Sequence, residues 1–305
     1  MATKAFLVGI NDYASAGSDL NGCVNDARDM ANTLIICGFA PASIRLCTDR
    51  CATKKGILDG LKWLINGAKK DDSLVFYYAG HGSQVADTSG DEVDHKDEIL
   101  CPHDINFAGK VYISDDDLKE ILSYKLPAGL NLEIILDSCH SGTGTRESIA
   151  LKGLPEESRV GFRYLAPPID LTFHIEYKPD LTTKRLFSAK TGKRDAVIVP
   201  GLNHTLWAGC RDNQTAQEIM IDGTFRGVFT YHFCQVLRRT RGNIKRKELQ
   251  GVFTYHFCQV LRRTRGNIKR KELHSIVTAA IRRAEFTQIP QLETSEPEMI
   301  DKPFK

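Results

Sequence analysis

The chain has 305 residues, 42% hydrophobic and 26% charged, with a formal net charge of +3. That composition belongs to an ordinary globular protein, long enough for one large α/β domain or two small ones, and no apolar run is long enough to cross a bilayer. Nine cysteines stand at positions 23, 37, 47, 51, 101, 139, 210, 234 and 258 without one Cys-x-x-Cys pair, which argues against a zinc ribbon or a thioredoxin-type site.

Residues 4–10 read as a first strand. One lysine precedes a short apolar run, with neither the h-region nor the small-residue cleavage site of a secretory signal. The default location is then cytoplasmic. Residues 20–37 read as a helix ended by Gly38, 43–48 as a second strand and 53–68 as a second helix. Residues 73–79 (SLVFYYA) form an apolar third strand of the kind buried on both faces. A third helix is expected over 115–124 and a fourth strand over 131–137 (NLEIILD). This alternation predicts an α/β fold with a mostly parallel central sheet and helices on both faces.

From about 144 to 200 the pattern weakens into a stretch rich in Lys, Arg, Pro and Thr. It reads as a linker or insertion between a large segment, 1–143, and a small one, 201–305. In the small segment, 204–210 (HTLWAGC) reads as a strand, each copy of a repeat carries a helix, and a last helix spans about 271–286. The Pro- and Glu-rich tail is expected to be loosely held.

The repeat is nearly perfect. Residues 227–250 and 251–274 match at 23 of 24 positions, unlike the three or more diverged copies of a solenoid. It is a recent tandem duplication or an error in the recorded sequence. Each copy carries a net charge of +5, so one copy alone would leave the chain at −2. The basic stretch RRTRGNIKRKEL is accordingly read as a solvated helix end and loop, not a nucleic-acid site.

Two motifs carry chemistry. The third strand runs into Ala79-Gly80-His81-Gly82-Ser83-Gln84, and the fourth into Asp137-Ser138-Cys139-His140-Ser141-Gly142. In a parallel sheet, ligands collect at the carboxyl ends of strands. A cysteine thiolate there can attack a carbonyl while an imidazole protonates the leaving amine. Backbone amides of Gly82 and Cys139 are the expected oxyanion donors. His140 is set aside as the base, because neighbouring strand residues point to opposite faces. His81 precedes Cys139 by 58 residues, near the spacing of about 50 expected of a caspase pair.

AGHGSQ, DSCHSG and the intervening DEVDHKDEILCPHD resemble the large catalytic segment of metacaspases, in peptidase family C14. WAGCRDNQTAQE followed by GVFTYHF resembles the start of the smaller segment. The resemblance implies a caspase-hemoglobinase fold, cysteine endopeptidase activity through His81 and Cys139, cleavage of protein or peptide substrates after Arg or Lys, a monomer, and often calcium activation.

The residues support a basic preference independently. Asp137 lies two positions before Cys139 and shares its face, and a carboxylate there needs a cationic partner. Asp26 matches a second acid of the metacaspase substrate pocket, and Cys23 a cysteine beside it; Asp26 is also readable as a helix-start acid. Ala79 stands where a pocket-lining serine is frequent. By resemblance, Asp97, Asp115 and Asp116 fall where some metacaspases bind calcium, although the 115–117 acidic run also reads as a helix start. No cofactor is required by the chemistry, and no membrane partner is expected. Basic residues Lys152, Arg159, Lys184, Arg185 and Lys190 make the linker a candidate for self-cleavage. The competing reading is a non-catalytic caspase-like scaffold. It expects a missing His or Cys, and neither is missing.

Overall fold

The run 73–79 forms strand β3 (Ser73–Ala79), buried at every position. It is flanked in parallel by β1 (Thr3–Gly9) and β7 (Asn131–Asp137), with β2 (Ile44–Thr48) outside β1 and β9 (Thr205–Ala208) outside β7. A last strand, β12 (Gln291–Thr294), pairs antiparallel with β9, so the six-stranded order is β12-β9-β7-β3-β1-β2. The computed structural model describes residues 2–86, 96–122, 126–127, 129–139, 161–167, 204–210, 216–241, 269–283 and 291–294. The expected loose tail is corrected here for residues 291–294. The free edge of β9 presents unpaired backbone donors and acceptors, and β12 satisfies them.

Helices lie on both faces, and strand parity says which. Phe6 of β1 packs on Gly60 of α2 (Lys54–Ile65), whereas Gly9 meets Cys23 and Ala27 of α1 (Cys23–Ile36). Positions of opposite parity face opposite ways. Further helices α4 (Val228–Arg241) and α5 (Arg270–Arg283) join α1, and α3 (Asp115–Leu122) joins α2.

The helix starts follow local chemistry. Thr53 Oγ1 accepts the Gly56 N–H at 3.1 Å and caps α2. At α3, Asp117 N–H bonds Ser114 Oγ and Ser114 N–H bonds Asp117 Oδ2, a reciprocal capping box. Helix α1 starts at Cys23, later than the sequence suggests. Its first amides are taken by distant groups: Asn11 Oδ1 accepts from Cys23 and Val24, and Glu218 from Asn21 and Gly22.

Two small antiparallel sheets were not read from sequence. One joins β4 (Gly82–Ala86), β5 (Lys96–Leu100) and β6 (Ile113–Ser114). The other joins β8 (Gly161–Phe162), β10 (Gln217–Ile221) and β11 (Thr224–Gly227). Both flank the carboxyl ends of β3 and β7.

The duplication is used in halves. Helix α4 comes from the first copy, while Arg270, Glu272 and Leu273 at the start of α5 come from the second; residues 242–268 lie outside the described residues. Deleting 242–265 joins Arg241 to Gly266 and restores a single copy. The α4–α5 connection then shrinks from residues 242–269 to 266–269, a usual length between packed helices. Loop-closure entropy makes the expected change a gain of about 1–2 kcal/mol. Calorimetry checks it: a lower Tm, or loss of the cooperative transition, counts against this use of the repeat.

Candidate active site

Parallel register brings the two motifs together. Ala79 of β3 lies opposite Asp137 of β7, and His81 and Cys139 each follow two residues later on adjacent strands. Strand spacing of about 4.8 Å therefore makes the two loops neighbours.

The His81 backbone is pinned from two sides. Tyr13 Oη accepts its N–H at 2.8 Å, and Tyr78 Oη donates to its carbonyl at 2.7 Å. Its ring Nε2 lies 2.8 Å from the Ser18 carbonyl oxygen. A carbonyl only accepts, so Nε2 carries the proton and Nδ1 is the free base. Nδ1 is buried without a hydrogen-bond partner among the described residues. Burial, reinforced by the positive charge of Arg163, pulls the His81 pKa down to about 4. The ring is thus neutral at physiological pH.

Cys139 is fully buried. Its thiol faces the Ala216 backbone, accepting the Ala216 N–H and lying 3.6 Å from the Ala216 oxygen. Its own N–H, and that of Gly82, point at one acceptor. Both lie 3.1 Å from the carbonyl oxygen of Arg163.

Arg163 is the residue that sequence reasoning missed. Its side chain is wholly buried in an acidic pocket. Nη2 lies 2.5 Å from Asp26 Oδ2 and 3.5 Å from Glu218 Oε2, and Nη1 lies 2.9 Å from Asp137 Oδ2. A buried guanidinium is tolerable only with such partners. Three carboxylates against one cation leave surplus negative charge. Burial pushes the Asp26 carboxyl up to about 7, against the pull of Arg163.

The other pocket candidates gather around this pair. Cys23 Sγ lies 3.9 Å from Glu218 Oε2, and burial raises its thiol pKa strongly. Ala79 shares the face of Tyr77, whose hydroxyl reaches Thr230. Thr230 in turn donates from Oγ1 to Asp137 Oδ2 at 2.6 Å, and Gly227 N–H donates to Asp26 Oδ2 at 2.7 Å. Position 227 must be glycine, because a Cβ there would collide with Asp137 Oδ2 and the Arg163 guanidinium.

The proposed calcium ligands are differently engaged. Asp115 and Asp116 both pair with Lys119 at the start of α3. Asp97 lies on β5 and, with Asp117, raises the Tyr112 pKa beyond the effect of burial. Among the described residues, no group of three or more His, Cys, Asp or Glu is placed to hold a metal. His140 lies outside the described residues.

A family model, the metacaspase peptidase C14 domain, matches residues 3–146. Metacaspase-1 of Schizosaccharomyces pombe is 32% identical over 257 residues, covering 77% of this chain and 59% of that protein. Metacaspase-1 of Ajellomyces capsulatus is 31% identical over 255 residues, covering 77% of this chain and 71% of that protein. The chain belongs to the metacaspase family. It nonetheless spans only 59% of the length of the Schizosaccharomyces pombe relative.

The crystal structure of caspase-1 from Spodoptera frugiperda superposes with a TM-score of 0.51 at 11% identity, over 96% of this chain and 86% of that one. With the six-stranded sheet, this establishes the caspase-hemoglobinase α/β fold for this metacaspase. Among the described residues no helix is long and apolar enough to cross a membrane.

Two further site residues went unread in sequence. Glu218 ends the motif WAGCRDNQTAQE that carries part of the family resemblance, so its acid was in view without a role. Ser18 acts only through its backbone carbonyl, for which no side-chain signal exists.

Proposed function

We propose that this metacaspase is a cysteine endopeptidase that cuts after Arg or Lys. The observation that supports it is the placement of Arg163: guanidinium between Asp26 and Asp137, carbonyl oxygen on the amides of Gly82 and Cys139. An arginine so held presents its carbonyl carbon beside the residue that bears the thiol. Cys139 rotates about χ1 away from Ala216 and attacks that carbon as the thiolate. The two amides take the developing oxyanion charge. His81 Nδ1, the nitrogen not bonded to Ser18, takes the proton of the Cys139 thiol and passes it to the leaving amine. Water then resolves the thioester, giving a carboxylate and the free thiol.

The reaction needs no metal, and calcium enters the proposal only as a stimulant, for which Asp97, Asp115 and Asp116 would be the ligands in an arrangement other than the one described above. Self-processing within 144–200 belongs to the same reading.

Arg- and Asp-ending fluorogenic peptides, each with calcium and with a chelator, test this function. Arg-ending peptides are expected to be cut and Asp-ending ones left intact, with activity persisting in chelator and abolished by Cys139→Ala. Cleavage only after Asp would overturn the specificity. Failure of a thiol-reactive Arg-ending probe to label Cys139 would favour the scaffold reading.

A further inference from the structure

A second thiol stands beside the nucleophile. Leu136 of β7 pairs in parallel with Ala208 of β9, and the Gly209 N–H bonds the Leu136 carbonyl oxygen at 2.8 Å. The two strands therefore leave the sheet side by side, one running into Cys139 and the other into Cys210. Both side chains enter a small buried cluster with Ala216, apart from the main core. Cys139 has no exposed surface, and Cys210 is 7% exposed. Cys210 Sγ lies 3.8 Å from the carbonyl oxygen of Ser138, the residue before the nucleophile. A hydrogen bond between the two thiols, together with burial, holds the Cys210 pKa well above its usual value. Adjacent strands lie about 4.8 Å apart, within the range of about 4.4–6.8 Å between α-carbons that a disulfide spans.

Both cysteines are reduced, and Cys210 has no part in the peptide-cleaving steps. Packing alone accounts for Cys37 or Cys234, which are small apolar groups of the main core. It does not account for a thiol in contact with the one sulfur that must act as a nucleophile.

We propose that Cys139 and Cys210 form a reversible redox pair, oxidised to a disulfide by a hydroperoxide. The pairing stands on the contact of the two side chains, and its consequence for activity rests on the peptidase reading above. In the first step the Cys139 thiolate attacks the terminal peroxide oxygen and the O–O bond breaks. The leaving oxygen takes up the proton that Cys139 released, giving an alcohol, or water from hydrogen peroxide, and a sulfenic acid at Cys139. In the second step the Cys210 sulfur attacks the sulfenic sulfur. The S–S bond forms, and the hydroxyl departs with the Cys210 proton as water. One peroxide is reduced and two thiols are oxidised. Held as a thiol, Cys210 is a poor target for the peroxide itself and is kept for the second step. The disulfide takes the nucleophile out of catalysis but spares it the irreversible sulfinic and sulfonic acids.

The test uses the full chain as wild type, Cys210→Ala, Cys210→Ser and Cys139→Ala, treated with hydrogen peroxide and then with a thiol reductant. Peptide mapping before reduction should find Cys139 linked to Cys210 in the wild type. Wild-type cleavage of an Arg-ending peptide should fall to near zero with peroxide and return to its starting rate on reduction. Each position-210 variant, measured against its own untreated rate, should lose activity with peroxide and not regain it. Its Cys139 should carry two or three added oxygens. Cys139→Ala should form no link at Cys210. If the position-210 variants do not fold, the wild-type map and its recovery still decide. Full recovery in Cys210→Ala overturns the proposal, as does a wild type whose Cys139 is unlinked or linked to another cysteine. A bond only between Cys47 and Cys51, where Cys47 Sγ lies 3.1 Å from the Cys51 oxygen, overturns it too. A chain that cuts no Arg-ending peptide before peroxide overturns the peptidase reading instead, and the peptide map still decides the pairing.

Discussion

Asp137→Ala is expected to lower kcat/KM for an Arg-ending peptide by about a hundred- to a thousandfold, the cost of removing one partner of a buried charge pair. Asp137 is wholly buried, and its Oδ2 serves three donors at once: Arg163 Nη1, Thr230 N and Thr230 Oγ1. Alanine strips the basic residue in the pocket of one carboxylate and leaves the Thr230 N–H without its acceptor. The uncut chain should therefore lose about 3–5 kcal/mol of stability as well. Asp137→Asn separates the two effects. It preserves an acceptor for Thr230, so most of the stability returns, whereas the charge that favours a cation does not. Urea unfolding beside peptide kinetics reads both. Wild-type kcat/KM in Asp137→Asn would remove Asp137 from the selectivity account.

The parts of this site legible in sequence are those with a local signature. His81 and Cys139 follow strands whose apolar pattern marks them, and the residues of β3 and β7 match the expected spans. Asp137 is legible from its place two positions before Cys139 along one strand. Arg163 and Glu218 are a different kind of residue. Arg163 meets Asp26 across 137 positions and Glu218 meets Gly22 across 196, so neither partnership leaves a periodic trace. Arg163 also sits in a stretch whose composition reads as linker. Its importance comes from tertiary pairing with β10, a strand itself too short to announce its register. The α3 acids read two ways in sequence, as a ligand set by resemblance and as a helix start; in the structure Asp117 caps the helix and Lys119 pairs with Asp115 and Asp116.

The duplication raises a question that sequence identity cannot answer, namely which copy supports the sheet. Glu133 lies in the middle of β7, the strand that delivers Cys139, and is 1% exposed. Burial pushes its carboxyl pKa up, and Arg270 opposes that. Arg270 Nε lies 2.7 Å from Glu133 Oε1, its Nη2 also bonds Asn131, and Trp207 Nε1 donates to Glu133 Oε2 at 2.7 Å. Arg270→Ala therefore strands a carboxylate inside the sheet. The expected loss is about 3–5 kcal/mol, or roughly 10 °C in Tm for a chain of this size. Arg246 is the same residue in the other copy, and Arg246→Ala should change stability by no more than about 0.5 kcal/mol. The asymmetry follows from what comes next in the chain. Only Arg270 is followed by the α5 residues Ile276 and Val277, which pack on the core. Replacing both partners, Glu133→Leu with Arg270→Met, should recover part of the loss, since an apolar pair leaves no buried charge. Equal Tm values for Arg246→Ala and Arg270→Ala would mean that the two copies exchange roles.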